Sequence, residues 1–162
     1  AVACYPDAHF NMIRPGLILY GVQEKPVSSV SVQPVLSLKS KVIYIKKIAK
    51  GRSISYGRTY IAHRQSRIAT IAVGYADGYP WALSNKASVL IRNRVVPVVG
   101  RVCMDQTMIR LDHIPEARVG DEVVLIGCQG DDEITAEEVA AWLGTINYEV
   151  VSEILARVPR IV

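Results

Sequence analysis

Residues 87–100 read Ala87-Ser88-Val89-Leu90-Ile91-Arg92-Asn93-Arg94-Val95-Val96-Pro97-Val98-Val99-Gly100. Two runs of aliphatic, mostly β-branched residues flank a polar turn. Such side chains fit extended backbone, Asn93 suits the turn, and Gly100 ends the second run. The stretch predicts a hairpin, 87–92 paired with 94–99 across Asn93. Working outward, the pattern recurs. From Val35 to Ile48, the order Leu36, Leu38, Val42, Tyr44 with interleaved Ile43 and Ile45 predicts one long strand, or two joined by a bend, closed by Gly51. Further strands are expected at 67–73, 106–111 and 121–127. Short strands spaced by Gly, Pro and Asn predict a mainly β fold: an antiparallel, partly closed, β-barrel-like domain with one or two short helices.

One helix is well signalled. Thr135 followed by Glu138 forms a capping box, Val139, Trp142 and Leu143 make an apolar stripe, and Gly144 ends it. Asn147 is expected to cap a second, shorter helix through Leu155. The acidic run Asp131-Asp132-Glu133 lies just before the first helix and reads as a solvated loop favourable to the helix dipole rather than a cation site.

With 162 residues, half of them apolar, the chain can fill one core. Its formal charge of +4 is modest, and basic residues are scattered among acidic ones, so neither a nucleic-acid nor a membrane-surface segment is indicated. A barrel that binds single-stranded nucleic acid would need aromatic platforms beside a cationic groove, and only the strand count speaks for it. Cys4, Cys103 and Cys128 are odd in number and far apart, which argues against a disulfide framework and a paired-ligand zinc site; reduced thiols in a cytoplasmic protein are expected. His9, His63 and His113 share no ligand spacing, so no metal is predicted. No apolar stretch reaches the ~18 residues of a membrane span. The opening at Ala1 without Met reads as a truncation.

Near the start, Arg14-Pro15-Gly16 leads into Leu17-Ile18-Leu19-Tyr20-Gly21, an apolar run suited to a buried strand. Glu24 to Gln33, rich in Ser, Val and Pro, reads as a linker holding the domain boundary.

Five stretches in order, Asn11-Met12-Ile13-Arg14-Pro15-Gly16, Ser55-Tyr56-Gly57, Gly74-Tyr75-Ala76-Asp77-Gly78, Gly100-Arg101-Val102-Cys103-Met104-Asp105-Gln106 and Thr145-Ile146-Asn147-Tyr148-Glu149, together resemble the alanine racemases. The resemblance implies that residues 1–32 are the last strand of an N-terminal α/β barrel with its linker, and that 33–162 are the C-terminal β domain. Without the barrel, the first strand is expected to be disordered, repacked or covered by another copy. The family's cofactor is pyridoxal phosphate, carried on a barrel lysine that none of the lysines present, including Lys25, Lys39, Lys46 and Lys47, matches. The isolated chain is therefore expected to be inactive.

The resemblance also assigns roles. Tyr56 matches the base that removes the α-proton of L-alanine, acting across a head-to-tail homodimer on cofactor bound by the other subunit, opposite the lysine. A phenol serves as a base only when its phenolate is stabilised, by about 4 kcal/mol for a shift from near 10 to near 7. On residue chemistry alone Tyr56 reads as a strand-end tyrosine filling a surface groove, and the accompanying motifs reverse that reading. Arg14 matches the arginine facing the pyridine nitrogen; since arginine keeps its proton, that nitrogen stays uncharged and side reactions such as transamination are disfavoured. By itself Arg14 is an arginine before a turn. Gly16 and Leu17 match backbone N–H groups that bind the cofactor phosphate, and Tyr148 matches a tyrosine that contacts it. Met104 matches a residue whose backbone N–H binds the substrate carboxylate. Tyr75, Arg101 and Ile146 match residues at the active-site entrance, with Asp77 as a charge partner for a nearby arginine.

The expected substrates are L- and D-alanine, interconverted for peptidoglycan synthesis. Alternatives are a racemase of the same family acting on serine or several amino acids, or a non-catalytic module for dimerisation and active-site completion. Because the family's dimer pairs barrel with β domain, the chain alone is expected to be a monomer or weak dimer.

Overall fold

The computed structural model describes residues 4–22 and 31–161. The chain separates into two compact units, up to Leu36 and from Ser37 onward. The linker predicted at 24–33 falls mostly outside the described residues.

In the first unit the expected strand is a 3-10 turn, Gly16–Tyr20. Pro15 enters with helical backbone (φ −68, ψ −22), and Gly21 at φ 70 ends the turn by returning its N–H to Ile18 O. A strand needs a neighbour to take up its backbone groups; among the described residues this segment has none, and the turn bonds its backbone locally.

The second unit is built from β1 (Leu38–Ile48), β2 (Ser53–Ile54), β3 (Tyr60–Ile61), β4 (Ser66–Ile71), β5 (Ser88–Ile91), β6 (Arg94–Pro97), β7 (Thr107–Arg110), β8 (Glu122–Gln129), β9 (Asp132–Ile134), α1 (Ala136–Leu143) and α2 (Asn147–Ser152). Every pairing is antiparallel. The main sheet runs β6-β5-β8-β1-β4-β7, with β9 beside β8, and β2 pairs with β3. Its outer strands are joined by one bridge, Val98 to Ile109, so the barrel-like sheet is only partly closed. The alternatives for 35–48 resolve as one strand that changes partner: Leu38–Lys41 lies on β8, and Val42–Ile48 lies on β4. The hairpin at 87–99 forms, its turn made by Arg92 and Asn93 at φ 50 and 57.

Ile68, Ile71, Leu90, Ile91, Ile109, Leu111 and Leu125 fill the interior, each at most 1% exposed. Full burial of such a side chain contributes about 1.5–3 kcal/mol relative to exposure. Thr107 is a fully buried polar residue, and its hydroxyl donates to Val73 O at 2.8 Å, fixing the chain just before Gly74.

At α1 the capping box is complete: Glu138 N–H donates to Thr135 Oγ1 at 3.1 Å and Thr135 N–H to Glu138 Oε2 at 3.0 Å. Two expectations are corrected. Asp132 and Glu133, read as loop, belong to β9, because Gly130 at φ 66 turns the chain back onto β8. Asn147 does not cap α2, whose N-cap is Ile146 without a side-chain bond; Asn147 is buried and donates instead to Glu137 Oε1 at 2.9 Å, tying α2 to α1, and α2 ends at Ser152.

Candidate functional site

From β2 the chain enters a 3-10 turn, Tyr56–Arg58, through Ser55 at φ 62, ψ 179. That backbone region is essentially reserved for glycine, and a serine there costs about 1–3 kcal/mol. Ser55 Oγ donates to Arg101 O at 2.7 Å and lies 3.5 Å from Cys103 Sγ. Gly100 makes the approach feasible, since a Cβ there would stand 2.8 Å from Ser55 Cβ. On the other side of Tyr56, a Cβ on Gly57 would reach 3.2 Å from Arg101 Cζ. Thus Ser55-Tyr56-Gly57 and Gly100-Arg101, far apart in the chain, are one contact.

A brace holds both. The loop after the turn Trp81–Leu83 brings Asn85 Oδ1 to Gly100 N–H at 2.6 Å and Asn85 Nδ2 to Thr59 Oγ1 at 3.0 Å. Val102 N–H donates to Ser84 Oγ at 3.0 Å. The Arg101 guanidinium lies 5.0 Å from the centre of the Trp81 ring, a cation–π arrangement.

The loop carrying Tyr75 is strapped across the loop carrying Met104. Tyr75 N–H donates to Cys103 O and Ala76 N–H to Met104 O, both at 3.0 Å. Gly74 allows this closeness, because a Cβ there would collide with the Cys103 carbonyl oxygen at 2.2 Å. Asp77 Oδ2 accepts from Gly74 N–H at 2.9 Å. The arginine expected beside Asp77 is Arg157, whose Nε is 2.7 Å from Asp77 Oδ1 and whose Nη2 is 2.6 Å from Asp105 Oδ1.

These loops border an open cavity of about 440 Å3 lined by Tyr56, Tyr75, Trp81, Arg101, Val102 and Cys103. The structure thus gathers three of the sequence-predicted residues, Tyr56, Tyr75 and Arg101. Met104 stands next to the lining residue Cys103, half exposed, and its N–H is engaged by no other described residue. Tyr148 and Ile146, also about half exposed, stand at the start of α2 and do not line the cavity. Arg14, Gly16 and Leu17 belong to the first unit, with Arg14 and Gly16 exposed and Leu17 buried.

Sequence reasoning missed Trp81, Ser84, Asn85 and Arg157. An Asn following Ser was a readable turn signal, and Asn85 indeed stands at φ 57. Nothing in the spacing tied Trp81 to Arg101.

The sequence profile of the family described as "Alanine racemase, C-terminal domain" matches residues 35–162. The chain is 51% identical over 162 residues to the alanine racemase of Halothermothrix orenii, covering 99% of this chain and 43% of that protein. It is 46% identical to alanine racemase 1 of Clostridium acetobutylicum, again with 99% and 42% covered. Among solved structures, alanine racemase from Bacillus anthracis with bound L-Ala-P superposes with a TM-score of 0.94 at 44% identity, covering 99% of this chain and 42% of that one. The Clostridium difficile 630 alanine racemase in complex with cycloserine superposes with a TM-score of 0.90 at 43% identity, covering 98% and 42%. The chain spans less than half the length of these relatives. It belongs to the alanine racemase family, and its residues 35–162 are the family's C-terminal domain.

Proposed function

We propose that the chain supplies the C-terminal part of the active site of a cytoplasmic enzyme that interconverts L- and D-alanine for peptidoglycan synthesis, with Tyr56 as the base that takes the α-proton of L-alanine. The observation that carries this reading is Tyr56 itself: 73% exposed, on the lining of a cavity, with its hydroxyl engaged by no other described residue, and flanked by Ser55, whose hydroxyl donates to Arg101 O, and by Gly57, which lies close to the Arg101 guanidinium. A tyrosine that only packed would be covered.

The residues present fit pyridoxal phosphate in part. The 3-10 turn at Gly16 leaves the N–H groups of Gly16 and Leu17 without a partner inside it, and Gly16 has nothing within 4 Å of where a Cβ would be, so an anion has room to approach. Tyr148 is half exposed, and its hydroxyl is engaged by no other described residue. Gly16 and Leu17 would hold the phosphate, and Arg14 would donate to the pyridine nitrogen. The lysine expected to carry the cofactor is not among the residues of this chain. When bound, pyridoxal phosphate supplies the electron sink for the pair left on the α-carbon. The chain's own contribution is to offer the Met104 N–H to the substrate carboxylate, to present the Tyr56 oxygen to the α-proton, and to narrow the approach with Tyr75, Arg101 and Ile146. We further propose that the barrel lysine and a second subunit in a head-to-tail dimer complete the site.

The test combines the chain with a separately produced lysine-bearing barrel and pyridoxal phosphate, and follows L- to D-alanine conversion for wild type and Tyr56→Phe. A strong fall in conversion in Tyr56→Phe relative to the wild-type mixture supports the reading, and conversion at the wild-type rate in Tyr56→Phe defeats it. Serine in place of alanine, in the same assay, reads substrate range.

A further inference from the structure

We infer that Ser55 is a positioning residue for Tyr56, acting through the backbone carbonyl of Arg101; the inference rests on the reading of Tyr56 as the proton-transfer base. Glycine would adopt the backbone at φ 62, ψ 179 without strain. What serine adds at this position is a hydroxyl, and that hydroxyl is directed at Arg101 O, 2.7 Å away.

The Tyr56 side chain has no hydrogen bond of its own to another described residue, so its direction is set by the backbone on either side. Downstream, Gly57 lies against the Arg101 guanidinium, and Arg58 Nε donates to Ser53 Oγ at 3.1 Å. Upstream, the Ser55 hydroxyl is the tether. Its acceptor is itself fixed, because the residues flanking Arg101 donate their N–H groups to Asn85 and Ser84 and the Arg101 side chain rests on Trp81. Ser55 therefore transfers the rigidity of the Gly100–Val102 segment to the turn that presents the phenol. A base displaced by a fraction of an ångström loses rate even when substrate still binds.

The experiment compares the full chain with Ser55→Ala and Ser55→Gly by 15N relaxation at the Tyr56 and Gly57 amides and by urea unfolding. Alanine keeps the backbone strain and loses the tether; glycine loses both. Ser55→Gly should be the more stable of the two variants, yet both should lower the Tyr56 order parameter from about 0.85 to below about 0.6. An order parameter that stays at the wild-type value in Ser55→Gly would mean that the hydroxyl only offsets strain, and would overturn the inference; this arm stands even if Ser55→Ala does not fold. In the barrel-complemented enzyme, Ser55→Gly should lower kcat about tenfold with KM changed less than about twofold, and should add no further loss in a Tyr56→Phe background. An equal further loss in that background would show that Ser55 does not act through Tyr56. Wild-type activity in Tyr56→Phe would instead defeat the base reading, leaving the relaxation comparison to decide whether Ser55 fixes the turn.

Discussion

Arg157 Nε sits 2.7 Å from Asp77 Oδ1, an ion pair between residues 80 positions apart that clamps the end of the chain over the loop carrying Tyr75. The same guanidinium reaches Asp105 beside Met104, so one side chain couples the two loops that frame the cavity. Hydrogen bonding to both carboxylates holds the guanidinium still more firmly protonated than usual. The pair is solvent-exposed, so its contribution to global stability is small and its effect is local. Arg157→Gln should leave the urea midpoint nearly unchanged while speeding amide hydrogen exchange at Tyr75 and Ala76. The difference between variant and wild type should shrink in 1 M salt, where charges are screened within about 3 Å.

Two glycines separate steric need from conformational need. Gly74 is extended at φ −157, so any residue could adopt its backbone, but a Cβ there would stand 2.2 Å from Cys103 O and 2.4 Å from Met104 O. Gly144 has open space around it and φ 76. Gly144→Ala should cost about 1 kcal/mol, the penalty of a left-handed conformation. Gly74→Ala forces backbone apart and should cost more than about 3 kcal/mol. Urea unfolding of the two variants checks the order, which is reversed if the 74–78 loop can simply lift.

The same contrast explains what the sequence disclosed. The 87–99 hairpin and the α1 cap were legible because their determinants are local: β-branched runs on either side of Arg92-Asn93, and Thr135 facing Glu138 across one turn. The motifs around Tyr56 and Arg101 were legible as a pattern, but that they touch was not, since the reason is a vacancy at Gly100 that Ser55 occupies. Gly16–Tyr20 misled because an apolar run satisfies strand and turn alike, and the missing pairing partner is a tertiary fact. Asn147 misled for a similar reason: its side chain chose Glu137 on a neighbouring helix over its own backbone. Arg157 left no signal at all, being one of many surface arginines until the chain folds.

Tyr79 is 2% exposed, and its hydroxyl has no hydrogen-bond partner among the described residues. Burial pushes its phenol well above the ordinary range. Removing an unsatisfied buried hydroxyl relieves a desolvation penalty, so Tyr79→Phe should be neutral or stabilising, by up to about 1 kcal/mol at pH 7. The folded-state pKa is raised, so the native protein resists an ionisation that the unfolded chain undergoes near 10, and stability falls as pH climbs above that value. Tyr79→Phe should flatten this alkaline decline. A loss of more than about 1 kcal/mol at pH 7 would show that a water bridges the hydroxyl to a neighbouring acceptor.

Asp121 supplies the acid limb. Its Oδ2 accepts from Arg92 Nε at 2.6 Å and from Arg118 N–H at 2.8 Å, and its Oδ1 from Arg92 Nη2 at 3.1 Å. The Arg92 hydrogen bonds, assisted by the Arg118 N–H, hold the carboxyl below the ordinary carboxylate range. Because the folded-state pKa is depressed, the stabilisation is complete above the unfolded value of about 3.9 and is lost as pH falls through the folded one. Asp121→Asn should therefore be less stable than wild type at pH 6, and the two should converge once the pH has fallen through the lowered folded-state pKa of the carboxyl. The place of the contact makes the effect directional: Arg92 is in the tight turn of the β5–β6 hairpin, so the variant should first loosen the amides of that turn, with those of the Gly74–Gly78 loop unchanged. Hydrogen exchange resolved by residue reads both. Uniform loosening across the sheet would mean that Asp121 supports the barrel as a whole rather than pinning the turn.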